Sequence, residues 1–358
     1  MAERGIIFRV DAGPTIGIGH LRRCLTLAAE LRERDCHVRF VCKDRFGPDL
    51  ESLVAQYAIQ YLADADRNTE RRDAEGEELW DADATLAVVG PSTTAESWAV
   101  VDNYRLGHRW ERRMRGAGYR IVAVDDYRDR RHHADLLTGD AEAPFDPDLN
   151  ELASTGRTLV GPRYAIVDPA YAFSGLDFKA TGSGKRLLVS YGGSDPTGET
   201  SKALKAIQAL KTDDCRRVQV ETVDVVAGLA DPSSAAIVRA GAAIPDVIVH
   251  RRLSSLEPLM RRADLVLTSG GNTMVEALAL RKPCIVTVTG DNQAMTAGKL
   301  DAVGVIRSLG HHASVTPDAV LEMIARALGD FDAFARRVAA EAPFDHLGSR
   351  RIAAAMLA

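Results

Sequence analysis

Residues 6–34 read IIFRV-DAGPTIGIGH-LRRCLTLAAELRER: a short apolar run, a glycine-rich loop, and an amphipathic stretch. An apolar run that turns through glycines into a helical period is the opening of a βαβ unit, and strands joined by crossover helices form a parallel sheet. The alternation continues down the chain. Strand-like runs occupy residues 38–42, 98–102 and 120–124 in the first half, with a helix over 106–117. In the second half they occupy 186–190, 220–227, 246–250, 265–268 and 284–288. The fold class read from this pattern is α/β.

The chain has 358 residues, 46% of them hydrophobic and 27% charged. At roughly 100 to 200 residues per domain that length predicts two domains. The predicted division is an N-terminal domain over 1–161, a hinge over 162–184, a C-terminal domain over 185–345, and a last helix over 346–358 packing back across the hinge. Pro162, Pro169 and the TGSG run at 181–184 interrupt every period there. Residues 64–83, crowded with Arg, Glu and Asp, read as a solvated helix or loop. No repeat with a fixed period is visible.

The 45 basic and 50 acidic residues leave a net charge of −5, so no overall field recruits nucleic acid. Without a run near ~18 apolar residues or a signal-peptide core, the reading expects a cytoplasmic protein and no membrane partner. The five cysteines include no CxxC pair, which fits neither a disulfide framework nor a thiolate metal site.

Chemistry gathers in the loops that follow strands. In the first, Asp11 to His20, glycines admit a ligand close to the backbone, and the helix start offers unpaired N–H groups. A dinucleotide fingerprint would need glycine where Arg22 stands, so that match fails. His20 falls in the first helical turn, where the positive end of the dipole disfavours imidazolium and leaves a neutral ring able to take a proton. The pairs His132/His133 and His311/His312 lack ligand spacing and are assigned no metal. A second loop, Ser190-Tyr191-Gly192-Gly193-Ser194-Asp195, has the composition of a phosphate-cradling turn. A third, Ser269-Gly270-Gly271-Asn272, opens a helix that carries Glu276. It reads as a diphosphate seat with a carboxylate for ribose. The loop Gly290-Asp291-Asn292-Gln293 reaches the same edge. Adjacent Asp125 and Asp126 read as turn or cap residues rather than metal ligands.

As an ordered set these segments are similar to one family. RVDAG..IGIGHLRRCLTLA (9–28), VVDNYRL...WE (100–111), VAVDDYRDRRHHADLL (122–137), VGPRYAIVDPAY (160–171), VSYGGSDPTGET (189–200) and TSGGNTMVEALALRKPCIVTVTGDNQ (268–293) resemble PseG, the UDP-sugar hydrolases of the pseudaminic acid pathway, and the related SpsG spore coat proteins. The resemblance implies the glycosyltransferase-B fold shared with MurG: two Rossmann-like doubly wound domains facing a central cleft. It implies hydrolysis of UDP-2,4-diacetamido-2,4,6-trideoxy-β-L-altropyranose or a close relative to free sugar and UDP. The C1–O bond breaks with inversion, and neither metal nor cofactor takes part.

By the same resemblance His20 is the general base, with Tyr104 and Asn292 near the reacting centre and Gly17 and Gly19 leaving room for sugar and water. Ser269, Gly270 and Gly271 hold the diphosphate, Glu276 the ribose, and Arg252 and Leu253 the uracil. Asp11, Gly192, Gly193, Ser194, Asn272, Asp291 and Gln293 complete the substrate-binding set. Departures from relatives at Tyr191, Asp291 and residues 272–275 bear on which nucleotide and sugar are taken. Two other readings stay open. One is an inverting glycosyltransferase of the same architecture using a UDP-sugar donor; the other is a non-catalytic nucleotide-sugar binding protein.

Overall fold

The computed structural model describes residues 4–13, 16–62, 73–127, 130–141, 156–174, 185–212, 220–228 and 231–358. The TGSG part of the expected hinge, half of the charged stretch at 64–83, and Cys215 lie outside the described residues. The first half runs β1 (Gly5–Val10), α1 (Gly19–Arg32), β2 (His37–Cys42), α2 (Pro48–Val54), β3 (Ala58–Tyr61) and α3 (Ala74–Val89). It continues β4 (Trp98–Asp102), α4 (His108–Gly116), β5 (Arg120–Val124), β6 (Leu136–Gly139) and β7 (Arg157–Val160). The second half runs β8 (Arg186–Ser190), α5 (Glu199–Thr212), β9 (Thr222–Ala227), α6 (Ser234–Ala242), β10 (Val247–Arg251) and α7 (Glu257–Arg262). It ends β11 (Leu265–Ser269), α8 (Asn272–Ala279), β12 (Cys284–Val288), α9 (Asp291–Ala302), β13 (Ile306–His311), α10 (Pro317–Gly329), α11 (Phe331–Glu341) and α12 (Gly348–Leu357).

Two parallel sheets result, with strand orders β3-β2-β1-β4-β5-β6-β7 and β10-β9-β8-β11-β12-β13. The chain divides into two compact units. Unit 1 comprises residues 1–12, 20–166 and 347–358; unit 2 comprises 13–19 and 167–346. Each is a Rossmann-like α/β layer built on one sheet, the fold class read from the sequence. In unit 1 the order reverses between β1 and β4, and in unit 2 between β8 and β11. Neighbouring crossovers there leave in opposite directions and open a crevice at the carboxyl ends of the strands.

Apolar composition explains why the central strands are central. β4, β11 and β12 are buried along their whole length, as strands covered on both faces must be. Helix α1 buries Leu21, Cys24, Leu27, Ala28 and Leu31, a helical stripe against the sheet. β3, β6 and β7 escaped the sequence reading because each has only four residues, and β13 because it is an edge strand with a largely polar, half-exposed sequence. An edge strand packs against one neighbour and keeps polar residues, so its apolar signal is weak.

The charged stretch at 64–83 is only partly solvated. Asp73 caps α3 by accepting from the Gly76 N–H at 2.8 Å. Further along, Asp81 is buried and accepts from Arg9 Nη2 at 2.6 Å and from Trp110 Nε1 at 2.9 Å. The exposed-face reading therefore fails for Asp81, because Arg9 on β1 is itself buried and needs a counter-charge. At the end of unit 1, α12 packs on the turn Pro162–Tyr164, and Arg351 Nη1 donates to the Arg163 carbonyl at 2.5 Å.

Candidate functional site

At the unit 1 switch point β1 runs beside β4, with Val10 in register with Asp102. The chain leaving β1 enters α1, whose first turn carries His20. This topology brings His20 Nδ1 to 2.6 Å from Asp102 Oδ1. The Asp102 side chain is fully buried, and that of His20 keeps 14% exposure. One turn on, Arg23 grips the same carboxylate from Nε to Oδ2 and from Nη2 to Oδ1, both at 2.6 Å. Its third nitrogen, Nη1, donates to Asp126 Oδ2 at 2.7 Å, and that oxygen also accepts from the Tyr104 hydroxyl at 3.1 Å. The Tyr104 ring meets the His20 ring edge-on with centroids 4.7 Å apart. Of the three residues expected to be catalytic, His20 and Tyr104 thus stand together.

Burial alone would raise the Asp102 carboxyl, but Arg23 and His20 outweigh it and hold the group well below the usual carboxylate range. Asp102 is therefore an ionised acceptor, and Nδ1 of His20 must carry the proton shared with it. In the neutral form of the ring the lone pair then sits on Nε2, at its other end. The sequence reading gave the helix dipole the work of setting this ring's state; the structure adds a buried carboxylate and a guanidinium. Sequence reasoning missed Asp102 and Arg23, and read Asp126 as a turn or cap residue, whereas it accepts from Arg23 and Tyr104. The signal was present, since Arg23 lies three residues after His20 and so shares its helix face.

Asp11, expected to touch substrate, is already engaged: it accepts from Arg9 Nη1 at 2.6 Å, the Lys43 N–H at 2.7 Å and Asn103 Nδ2 at 2.9 Å. Asp125 accepts from the Tyr127 N–H at 3.1 Å, a turn contact, and from His132 Nε2 at 2.9 Å. Among the described residues no group of three or more His, Cys, Asp and Glu is placed to hold a metal ion.

Unit 2 has its switch point between β8 and β11. The loop after β8 does not behave as the phosphate cradle its composition predicted. Buried Asp195 accepts from the N–H groups of Glu199 at 2.9 Å and Thr200 at 2.8 Å, so a protein carboxylate already fills the N-terminus of α5. Tyr191 is buried too, and belongs to the core rather than to an open surface. A Cβ on Gly193 would come within 2.5 Å of Ile18, and one on Gly17 would stand 3.7 Å from Ser194 Oγ. Segment 13–19 thus lies against this loop within unit 2, and Asn272 Nδ2 donates to the Gly19 carbonyl at 3.0 Å.

Helices α8 and α9 differ from α5. Each begins after a glycine, Gly271 or Gly290, which as the N-cap residue supplies no side-chain cap of its own. Gln293 ties the two starts together: its Oε1 accepts from the Gly270 N–H at 3.0 Å, the Thr289 N–H at 2.9 Å and Thr289 Oγ at 3.2 Å. Ser269 ends β11, while Asp291 and Asn292 open α9. A helix start of this kind can receive an anion through its N–H groups and its dipole. Glu276 lies one turn into α8, and Arg252 with Leu253 follows β10, Arg252 taking a left-handed φ of 53°.

The comparisons with known proteins agree with this architecture. No model of a protein family matches the chain. The spore coat polysaccharide biosynthesis protein SpsG of Bacillus subtilis (strain 168) is 26% identical over 175 residues, 49% of this chain and 50% of that protein. The chain spans about half the length of the curated relatives it matches. Among solved structures, MurG of Acinetobacter baumannii superposes with a TM-score of 0.66 over 99% of both chains at 12% identity. Alr3699/HepE of Anabaena, in complex with UDP and glucose, superposes with 0.60 over 98% of both at 13%. In sequence the chain is similar to SpsG over about half its length, and in fold it is a two-domain Rossmann-like α/β protein similar to MurG.

Proposed function

We propose that the chain is a glycosyltransferase-B-like enzyme acting on a UDP-linked amino-deoxy sugar, and that it hydrolyses this substrate to free sugar and UDP with inversion. The observation that carries the reading is the His20–Asp102 pair, because a proton fixed on Nδ1 leaves Nε2 as a base for water. In the step, water oxygen bonds to the anomeric carbon, the C1–O bond to the diphosphate breaks, and the water proton passes to His20 Nε2. The leaving diphosphate needs donors, and this role is assigned to the N–H groups that follow Gly271 at the start of α8 and Gly290 at the start of α9. Tyr104, beside the His20 ring, and Asn292, on the first turn of α9, are assigned to the sugar. Glu276 is assigned to the ribose, and Arg252 with Leu253 to the base.

Support from relatives is coarser than this reading. SpsG is named for polysaccharide biosynthesis, and HepE is seen with UDP and glucose. Transfer to an acceptor hydroxyl uses the same base, so the test has to separate the two outcomes. Purified protein is incubated with UDP-linked 2,4-diacetamido sugars, with and without acceptor sugars, and UDP and the anomeric configuration are followed by NMR. Hydrolysis gives free inverted sugar without any acceptor. Release of UDP only when an acceptor is present would make the chain a transferase, and UDP binding with no release from any donor would make it a binding protein. His20→Ala is expected to keep UDP affinity within a few-fold and to lower turnover by about 10²-fold or more.

A further inference from the structure

The unit 2 sheet ends on one side at β10, and among the described residues no strand lies beyond it. Its five residues, VIVHR, pair with β9 in unbroken parallel register. Val223 of β9 donates its N–H to the Asp246 carbonyl at 3.0 Å. In a parallel ladder this turns the backbone groups of residues 246, 248 and 250 toward β9 and those of Val247, Val249 and Arg251 outward. The Val247 N–H bends back to the Ile244 carbonyl at 3.4 Å, and the other outward groups form an open row among the described residues. Helix α6 covers one face of the strand so closely that a Cβ on Gly241 would come within 2.3 Å of Val249. Ile248 points to the opposite face and is 51% exposed. Open edges are ordinarily spoiled, and β13 at the far edge of the same sheet is. A register shift skips Leu309, and Gly310 takes a φ of 79°. β10 has no bulge and no proline, and its one arginine is its last residue.

We propose that β10 is a self-association edge, at which two copies of the chain join their unit 2 sheets antiparallel about a two-fold axis through Val249. Two conditions fix that register. Residues directly opposite in an antiparallel pair point to the same face, and outward backbone groups must meet outward groups. Centring on Val249 meets both. Val249 faces Val249 of the other copy and Val247 faces Arg251, all in hydrogen-bonded positions, while Ile248 faces His250 between them. The two Val249 residues exchange their N–H and carbonyl groups, and each Arg251 N–H reaches a Val247 carbonyl. Ile248 thereby covers an imidazole held in place by Asp224 at 2.6 Å. Charge agrees with the direction. Asp246 precedes the strand and Arg251 closes it, so antiparallel pairing sets opposite charges side by side, where parallel pairing sets like beside like. Above the strand α6 carries one charged residue, Arg239, and exposes alanines at 235, 236, 240 and 242, offering a second copy small side chains rather than long charged ones. A two-fold contact of this kind closes at two copies.

Sedimentation equilibrium of the full chain is expected to show a monomer–dimer equilibrium in the micromolar range, weak because a five-residue edge buries less than a standard interface. Hydrogen exchange locates the contact. The Val249 and Arg251 amides should gain protection as concentration rises, whereas the Ile248 amide, turned toward β9, is protected throughout. Val249→Pro removes an outward N–H that β9 does not use, and Ile248→Lys places a charge at an exposed position. Each should leave the thermal midpoint nearly unchanged and raise the dimer dissociation constant about tenfold or more. If Val249→Pro does not fold, Ile248→Lys decides alone. A chain that stays monomeric, a dimer unmoved by Ile248→Lys, or growth past two copies overturns the proposal. Protection of the Val249 amide at every concentration in a monomer also overturns it, because another part of the same chain would then cover the edge.

Discussion

Val10 and Asp102 are register partners on the two strands where the unit 1 sheet changes direction, and through that pairing the Asp102 carboxylate stands behind a ring carried by a different element. The pairing puts a buried acid under the first turn of the helix that β1 feeds, which is how His20 acquires its partner.

Replacing Asp102 by Asn should separate chemistry from folding. The amide can still accept from Arg23 but no longer stabilises imidazolium, so UDP release should fall by about 10²-fold or more in steady-state assays. Asp102→Ala leaves the Arg23 charge buried opposite a missing partner, which should lower unfolding stability by roughly 3 to 5 kcal/mol in urea titrations.

The two kinds of helix start in unit 2 should respond differently. A Cβ at Gly270 would sit 2.9 Å from Gln293 Cβ and displace the amide joining the α8 and α9 loops. Gly270→Ala is therefore expected to weaken UDP binding about tenfold by calorimetry, with a small effect on stability. Asp195→Ala removes a cap and should show the reverse, a loss of about 1 kcal/mol with UDP affinity unchanged.

His132 should give the stability a pH slope. It is buried between Glu111 Oε1 at 2.7 Å and Asp125 Oδ2 at 2.9 Å. Burial lowers its pKa, but those two carboxylates outweigh it and bring it up to about 9. A group raised above its unfolded value of about 6.5 stabilises fully below that pH and loses the contribution as pH rises through about 9. Unfolding free energies from urea titrations should therefore fall between pH 6.5 and 9, by roughly 3 kcal/mol at most, and His132→Gln should flatten that slope.

Docking of the last helix should depend on Gly348, where an added Cβ would lie 1.9 Å from the Ala165 carbonyl oxygen. Backbone cannot yield as a side chain can, so Gly348→Ala should cost about 1 to 3 kcal/mol and lower the thermal midpoint. A neighbouring change on the exposed face, Arg350→Ala, should leave that midpoint nearly unchanged.

The sequence by itself determined the α/β class, the central strands and the loops that carry chemistry, because buried parallel strands need continuous apolar runs and glycine marks the turns into helices. It picked out His20 from its place at a helix start. Only the tertiary structure decided its partners: Asp102 lies 82 residues away and Asp126 reaches His20 through Arg23 and Tyr104, so no local period connects them. It also decided which glycine-rich loop folds a carboxylate onto its helix start. SYGGSDP and TSGGNT look alike in composition, yet Asp195 folds back onto the N–H groups of α5 while the N-cap of α8 is a glycine that makes no side-chain cap bond.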